Sequence, residues 1–345
     1  MLAWLNDMGI LPAVIVFVAC AAIIGIVGTR LTRIADELAD RTGIGEAVAG
    51  AVLLGATTSL SGIVLSVTAA LRDQPALAMS NALGGIAVQT LFLAVADWAY
   101  RRANLEHAGA SAANLAQATL LVCLLSVLLV ASLGPSVTWL GINIATPVLF
   151  GGYLYGLRLV GQVHVQPMWN PRMTRETRTD EPEAEVREAE SMARLWTAFV
   201  GYAAILGISG FVLERSASVV GAASGLSDTA VGVLLTAVCT SLPELVTSVA
   251  AVRRGALQLA IGGIIGGNAF DCLFAGAADI AYRPGSIYHA VANDTLVWIA
   301  LSLLMTGVLL LGLIRREERG MANIGFESVS LIVLYGVGVV IALIH

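Results

Sequence analysis

The chain has 345 residues, of which 57% are hydrophobic and only 12% charged. A soluble protein of this length carries about a quarter charged residues, so the composition excludes a soluble globular chain. The formal net charge of −5 excludes little more, because acids contribute little to membrane topology.

A run of about 20 apolar residues suffices to cross the hydrocarbon core. In chain order such runs lie near 11–29, 43–70, 76–100, 113–134, 137–160, 195–214, 225–251, 256–281, 290–314 and 323–344. The predicted fold is therefore an all-α integral membrane protein of ten transmembrane helices. Asp7 precedes the first run with no basic residue beside it, while Arg30 and Arg33 follow it. Those flanks do not fit a signal peptide and put the N-terminus outside. With that orientation 16 of the 19 basic residues, all arginine, fall on the cytoplasmic side, and only Arg72, Arg215 and Arg283 fall outside. A multi-pass protein of the cell membrane is expected, with the lipid bilayer as its surroundings and no nucleic acid among its partners. Nothing in the sequence sets an oligomeric state.

The long polar segment 161–194 reads as a cytoplasmic linker with one short helix near 183–194. Cys20, Cys123, Cys239 and Cys272 form no CxxC pair, so neither a zinc site nor a disulfide framework is expected. His107, His164, His289 and His345 lie at loops, span edges or the terminus and read as interface residues rather than ligands.

Shifted by 182 residues, the chain overlays itself. Residues 46–101 match 228–283 at 22 of 56 positions, without a gap. TSL at 58–60 returns at 240–242, Gly84 and Gly85 return as Gly266 and Gly267, and ADxAYR at 96–101 returns as ADIAYR at 278–283. The predicted organisation is a first five-helix repeat at 1–160 (core 43–101), the linker 161–194, and a second five-helix repeat at 195–345 (core 225–283). Five is odd, so the second copy enters the membrane inverted. Inverted repeats characterise secondary transporters, with the site near the midplane between them.

Glu244 lies near the centre of the seventh span. An acid there costs about 2.5–3.5 kcal/mol on insertion scales and is a functional candidate by default. Pro243 has no N–H and frees the carbonyl of Cys239, while Thr240 and Ser241 add hydroxyls. This is a cluster of hard oxygens suited to Na⁺ or Ca²⁺. Asp271 in the eighth span follows Gly262, Gly263, Gly266 and Gly267, which let helix backbones approach closely. That approach brings Asp271 towards Glu244. Asp97 and Asp279 each stand four residues before an arginine, Arg101 or Arg283, and read as i,i+4 ion pairs at helix ends.

TSLPE at 240–244 and GGNAFD at 266–271 resemble the alpha-repeats of the cation/calcium exchanger superfamily, which includes sodium/calcium exchangers. That resemblance implies ten helices in two inverted sets of five. It implies ion sites between the second, third, seventh and eighth helices, and first and sixth helices that slide across the core. Matched position by position, it places Ala237, Thr240, Ser241, Glu244 and Asp271 at ion-site positions in the second repeat, and Gly55, Thr58, Ser59 and Gln89 in the first. The chain departs from the pattern in having Gly62 for the family's first glutamate, Ser61 for its proline, and Gly85 and Gly267 for the usual serines. Ser61 is expected to leave the first-repeat helix unbroken.

Two site carboxylates balance one Ca²⁺ or two monovalent ions, and two neighbouring acids also make proton coupling a contender. The expected function is a secondary-active antiporter moving Ca²⁺ or a related cation against Na⁺ or H⁺, with no cofactor beyond the transported ions. A proton-coupled or monovalent-cation exchanger without Ca²⁺ transport, or a non-transporting cation-binding membrane protein, remain the alternatives. An enzyme is not expected: there is no HExxH helix, no phosphate-cradling loop and no Ser/His/Asp set.

Overall fold

The structure is a computed structural model and describes residues 9–178, 191–222, 237–291, 293–320 and 324–344. Helix α1 (Ile10–Thr42) outruns the expected 11–29 and ends on Gly43, held in the left-handed conformation at φ 68° that a residue without Cβ adopts readily. Helices α2 (Glu46–Thr58) and α3 (Leu60–Leu71) form one span bent by 47°. Helix α4 (Pro75–Ala99) starts on a proline, whose missing N–H is not needed in a first turn. The short α5 (Leu105–Ala108) leads to α6 (Ala112–Leu133), whose first turn is capped by Ser111. A two-stranded hairpin, β1 (Thr138–Trp139) and β2 (Ile142–Asn143), takes the first residues of the expected fifth span before α7 (Ala145–Val165). Then come α8 (Met192–Ala222), α9 (Ala237–Thr240), α10 (Leu242–Arg254), α11 (Leu257–Ala281), α12 (Asn293–Arg315) and α13 (Phe326–Ile344). The expected helix near 183–194 and the start of the expected seventh span lie outside the described residues, apart from residues 191–194.

Seven of the described helices are long and apolar enough to cross a membrane, eight with the bent pair counted as one span. The protein is thus an all-α integral membrane protein. The expected ten spans are not all met among the described residues: α7 misses that measure of length and apolarity, and α10 has only 13 residues. Helices α4 and α11 form the centre, with 89% and 94% of their apolar windows buried, against 22% for α1. The outer helices expose Ile15, Val18, Val333 and Val340, a surface suited to lipid.

Backbone meets backbone where α2 crosses α11. A Cβ on Gly50 would lie 2.5 Å from Gly263 N, and one on Gly55 would lie 2.7 Å from Gly267 N. Along the same seam Gly262 rests on Ala47 and Gly266 on Ala51. Small residues permit this approach. Within α2, residues Gly50–Gly55 form a π-turn, a local widening frequent at functional sites.

The expectation that Ser61 keeps the first-repeat helix unbroken is corrected here. The chain breaks at Ser59, with ψ 0°, and again at the repeat-related Ser241, with ψ 2°. In the second repeat Pro243 accompanies the break. In the first repeat it follows the π-turn and the glycine seam instead, which impose the bend without a proline.

Asp97 and Asp279 also differ from expectation. Both are fully buried, and among the described residues neither pairs with Arg101 or Arg283. Asp97 Oδ1 accepts Leu105 N–H at 2.7 Å, and its Oδ2 accepts Gly325 N–H at 3.1 Å and Ser328 Oγ–H at 2.9 Å. Asp279 Oδ1 accepts Ile287 N–H at 3.1 Å, and its Oδ2 accepts Asn143 N–H at 2.8 Å and Thr146 Oγ1–H at 2.7 Å. Every donor in one set is offset by 182 from its counterpart in the other. Burial decides against the ion pair, because a buried carboxylate gathers N–H and O–H donors that an exposed arginine cannot replace. Hydrogen bonds to a charged group are worth roughly 1.5–3 kcal/mol each. Asp279→Ala is therefore expected to lower the thermal unfolding temperature of the detergent-purified chain sharply, while Arg283→Ala leaves it nearly unchanged. Equal losses in both would restore the ion-pair reading.

Candidate functional site

Glu244 stands in the first turn of α10, just after the break at Ser241, and Asp271 lies midway along α11; the two are 2% and 1% exposed. The first repeat reaches them from the other side. Ser59, at the break between α2 and α3, donates from Oγ to Glu244 Oε1 at 3.4 Å and also faces Asp271. The Thr58 hydroxyl faces Glu244. From α4, Gln89 donates from Nε2 to Asp271 Oδ2 at 2.6 Å and to Ser241 Oγ at 3.3 Å. The two acids thus share one polar pocket built by both repeats.

The remaining expected positions contribute less directly. Thr240 Oγ1 donates to its own Ala237 carbonyl at 3.2 Å and to Asn81 Oδ1 at 3.5 Å. The Ala237 carbonyl also accepts Ser241 N–H at 3.1 Å. The Gly55 carbonyl mirrors it, accepting Ser59 N–H at 3.2 Å and Thr58 Oγ1–H at 3.1 Å. Both carbonyls are therefore already occupied inside their own helices. Asn268 turns to Thr90, donating from Nδ2 at 2.8 Å.

Three acceptor oxygens in this pocket receive no hydrogen bond from any described residue: Glu244 Oε2, Asp271 Oδ1 and Gln89 Oε1. Leaving a buried acceptor unmet costs about 1–3 kcal/mol, more for a charged one. Oxygens of this kind in one pocket are what a bare hard cation requires.

Sequence reasoning missed two residues. Asn81, buried in α4, donates from Nδ2 to Gly62 O at 3.1 Å and to Ser66 Oγ at 3.0 Å, and its Oδ1 meets Thr240. Its signal was an amide inside an apolar run, at a position where the other repeat has Gly263. Phe274 is the second. A Cβ on Gly62 would lie 2.6 Å from Phe274 Cε2, so an aromatic ring fills the place of any side chain at 62. Ser66, one turn further along α3, does not enter that space and donates to the Ala78 carbonyl at 3.0 Å.

A two-repeat helical membrane protein with buried carboxylates between the repeats defines a transport protein, not an enzyme. Residues 12–158 and 194–344 match the family described as sodium/calcium exchanger protein. The chain belongs to the sodium/calcium exchanger family. It is 36% identical over 132 residues to CaxA of Alkalimonas amylolytica, a stretch covering 36% of this chain and 41% of that one. It is 34% identical over 112 residues to the sodium/calcium exchanger MaX1 of Methanosarcina acetivorans, covering 32% of each. These two matches thus span less than half of either relative. The inner membrane protein YrbG of Escherichia coli is 26% identical over 289 residues, covering 80% of this chain and 82% of that one. Among solved structures, the sodium-calcium exchanger NCX_Mj soaked with Na⁺ and Sr²⁺ shares the fold, with a TM-score of 0.72 at 18% identity over 96% of this chain and 99% of that one.

Proposed function

We propose that the chain is a secondary-active cation antiporter, exchanging Ca²⁺ or a related cation for Na⁺ or H⁺ by alternating access, with its N-terminus outside the cell membrane. The observation that carries this reading is the pair Glu244 and Asp271, buried together at membrane depth with an unmet oxygen on each. Glu244 and Asp271 bind the ion. The hydroxyls of Thr58, Ser59, Thr240 and Ser241 and the Gln89 amide oxygen complete its shell. The carbonyls of Gly55 and Ala237 join only by releasing a bond they now make within their helices. The repeats at 1–160 and 195–345 exchange roles between the two access states. MaX1 and NCX_Mj, both named as sodium/calcium exchangers, lend support from outside the chain.

The test is Ca²⁺ uptake into proteoliposomes, first under an outward Na⁺ gradient and then under an outward H⁺ gradient, with protein-free liposomes alongside. Uptake under one gradient names the coupling ion, and absence under both rejects Ca²⁺ exchange. Phe274 in the place of a third acid favours a second reading, a proton-coupled or monovalent-cation exchanger without Ca²⁺ transport. Flux of a monovalent cation driven by pH with no Ca²⁺ uptake would favour it, and equilibrium binding with no flux of any ion would leave a cation-binding protein.

A further inference from the structure

Outside the candidate transport site, a second group of acids sits at the end of the bundle that the arginine pattern assigns to the cytoplasm. Asp97 closes α4, Glu106 lies on α5 and Glu327 opens α13. They are 0%, 1% and 1% exposed. One carboxylate oxygen from each lies within 4.8 Å of the other two. The carboxyl groups of Glu106 and Glu327 face each other, and no donor from outside the cluster reaches any of their four oxygens. Among the described residues no arginine or histidine makes an ion pair with any of the three. The neighbouring basic groups are turned elsewhere. Arg316 donates to the carbonyls of Arg172 and His107 and to Thr177 Oγ1, and the His107 ring bonds Arg316 O and Thr174 Oγ1.

The other repeat shows that the scaffold does not need this charge. Asp97 and Asp279 hold the same latch in both copies. Offset by 182, Glu106 corresponds to Tyr288 and Glu327 to Ala145. At that end of the molecule the Tyr288 hydroxyl lies 2.9 Å from Thr146 Oγ1, and the polar group is satisfied without a second acid. The latch at Asp97 instead carries two extra carboxylates, Glu106 from the first repeat and Glu327 from the second, with Gly312 leaving room for Glu327: a Cβ there would lie 2.5 Å from Glu327 Cγ. Several buried carboxylates left without partners are strongly unfavourable, and a bound cation or protons must relieve them.

We propose that Asp97, Glu106 and Glu327 form a second, non-transport cation site that takes a hard divalent ion, Ca²⁺, and joins α4, α5 and α13. Calcium binds carboxylate oxygens at about 2.3–2.6 Å, so opposite ligands stand about 5 Å apart, which matches this cluster. Glu106 and Glu327 supply the free oxygens. Asp97 Oδ1 adds one that accepts only the Leu105 N–H. The ion ties the loop after α4 to the start of α13.

The site is tested by equilibrium binding of radioactive calcium to the purified full chain, comparing E106Q/E327Q with E244Q/D271N. The chain carrying E244Q/D271N is expected to keep a calcium ion that raises its unfolding temperature. E106Q/E327Q is expected to lose that ion while keeping the calcium held by Glu244 and Asp271. Should the glutamine pair fail to elute as a folded protein, E106Y/E327A copies the residues at the related latch around Asp279 and is expected to lose the same ion. Calcium binding unchanged by either pair of substitutions overturns the site. So does a folded E244Q/D271N chain that binds no calcium, which would mean that Glu106 and Glu327 share a proton instead.

Discussion

Glu244→Gln is expected to abolish cation exchange, and Asp271→Asn to do the same, with both variants still folded. Each substitution keeps shape and volume and removes one negative charge. Each also turns an N–H₂ group into a pocket whose free atoms are now acceptors, Glu244 Oε2, Asp271 Oδ1 and Gln89 Oε1. Losing one partner of a buried charge pair costs roughly 3–5 kcal/mol. At 1.4 kcal/mol per decade that is about a hundredfold or more in affinity for the cation. Uptake into proteoliposomes over a range of outside Ca²⁺ concentrations measures the effect, with elution profile and reconstituted amount matched to the unmodified chain. Uptake within a factor of two of the unmodified chain in either variant would remove that acid from the site.

Gly62→Glu, which restores the acid of the family pattern, is expected to damage the protein rather than improve it. The new Cβ would meet the Phe274 ring at 2.6 Å. Overpacking of this kind costs about 1–3 kcal/mol, and an unpaired acid at span depth adds about 2.5–3.5 kcal/mol on insertion scales. Phe274→Ala opens the space at its own cost, so the informative quantity is the coupling between the two. The double variant Gly62→Glu with Phe274→Ala is expected to be less destabilised than the sum of the singles, by about 1–3 kcal/mol. Thermal unfolding of the four proteins closes that cycle. Additive losses would mean that the ring does not occupy the place of the missing side chain.

Much of this was legible in the sequence because it is local. The long apolar runs gave α4 and α11 to within a residue or so, and an acid beside a proline in an apolar run marked Glu244. The 182-residue offset predicted a site between two inverted repeats, and the resemblance to the exchanger superfamily implied which helices share it. What stayed hidden depends on contacts between distant segments. Asp279 four residues before Arg283 has the spacing of an ion pair, yet burial gives it to Asn143, Thr146 and Ile287. The bend at Ser59 has no proline to announce it and follows from glycines of α2 lying on glycines of α11. Glu106 and Glu327 are 221 positions apart in the sequence, and no spacing rule joins them. Phe274 lies on the far repeat from the position it fills.

The ring of Phe274 has an electrical consequence. By keeping a third acid out, it holds the fixed charge of the proposed site at two carboxylates, Glu244 and Asp271. One Ca²⁺ neutralises them, and so do two monovalent cations, so a cycle trading one load for the other moves no net charge across the bilayer. Each elementary charge carried through 100 mV is worth about 2.3 kcal/mol, which a carrier moving net charge would gain or lose with the membrane potential. This carrier is expected to be indifferent to it. A potassium diffusion potential set with valinomycin should leave the rate of exchange the same at either polarity, and only ion gradients would determine the direction of flux.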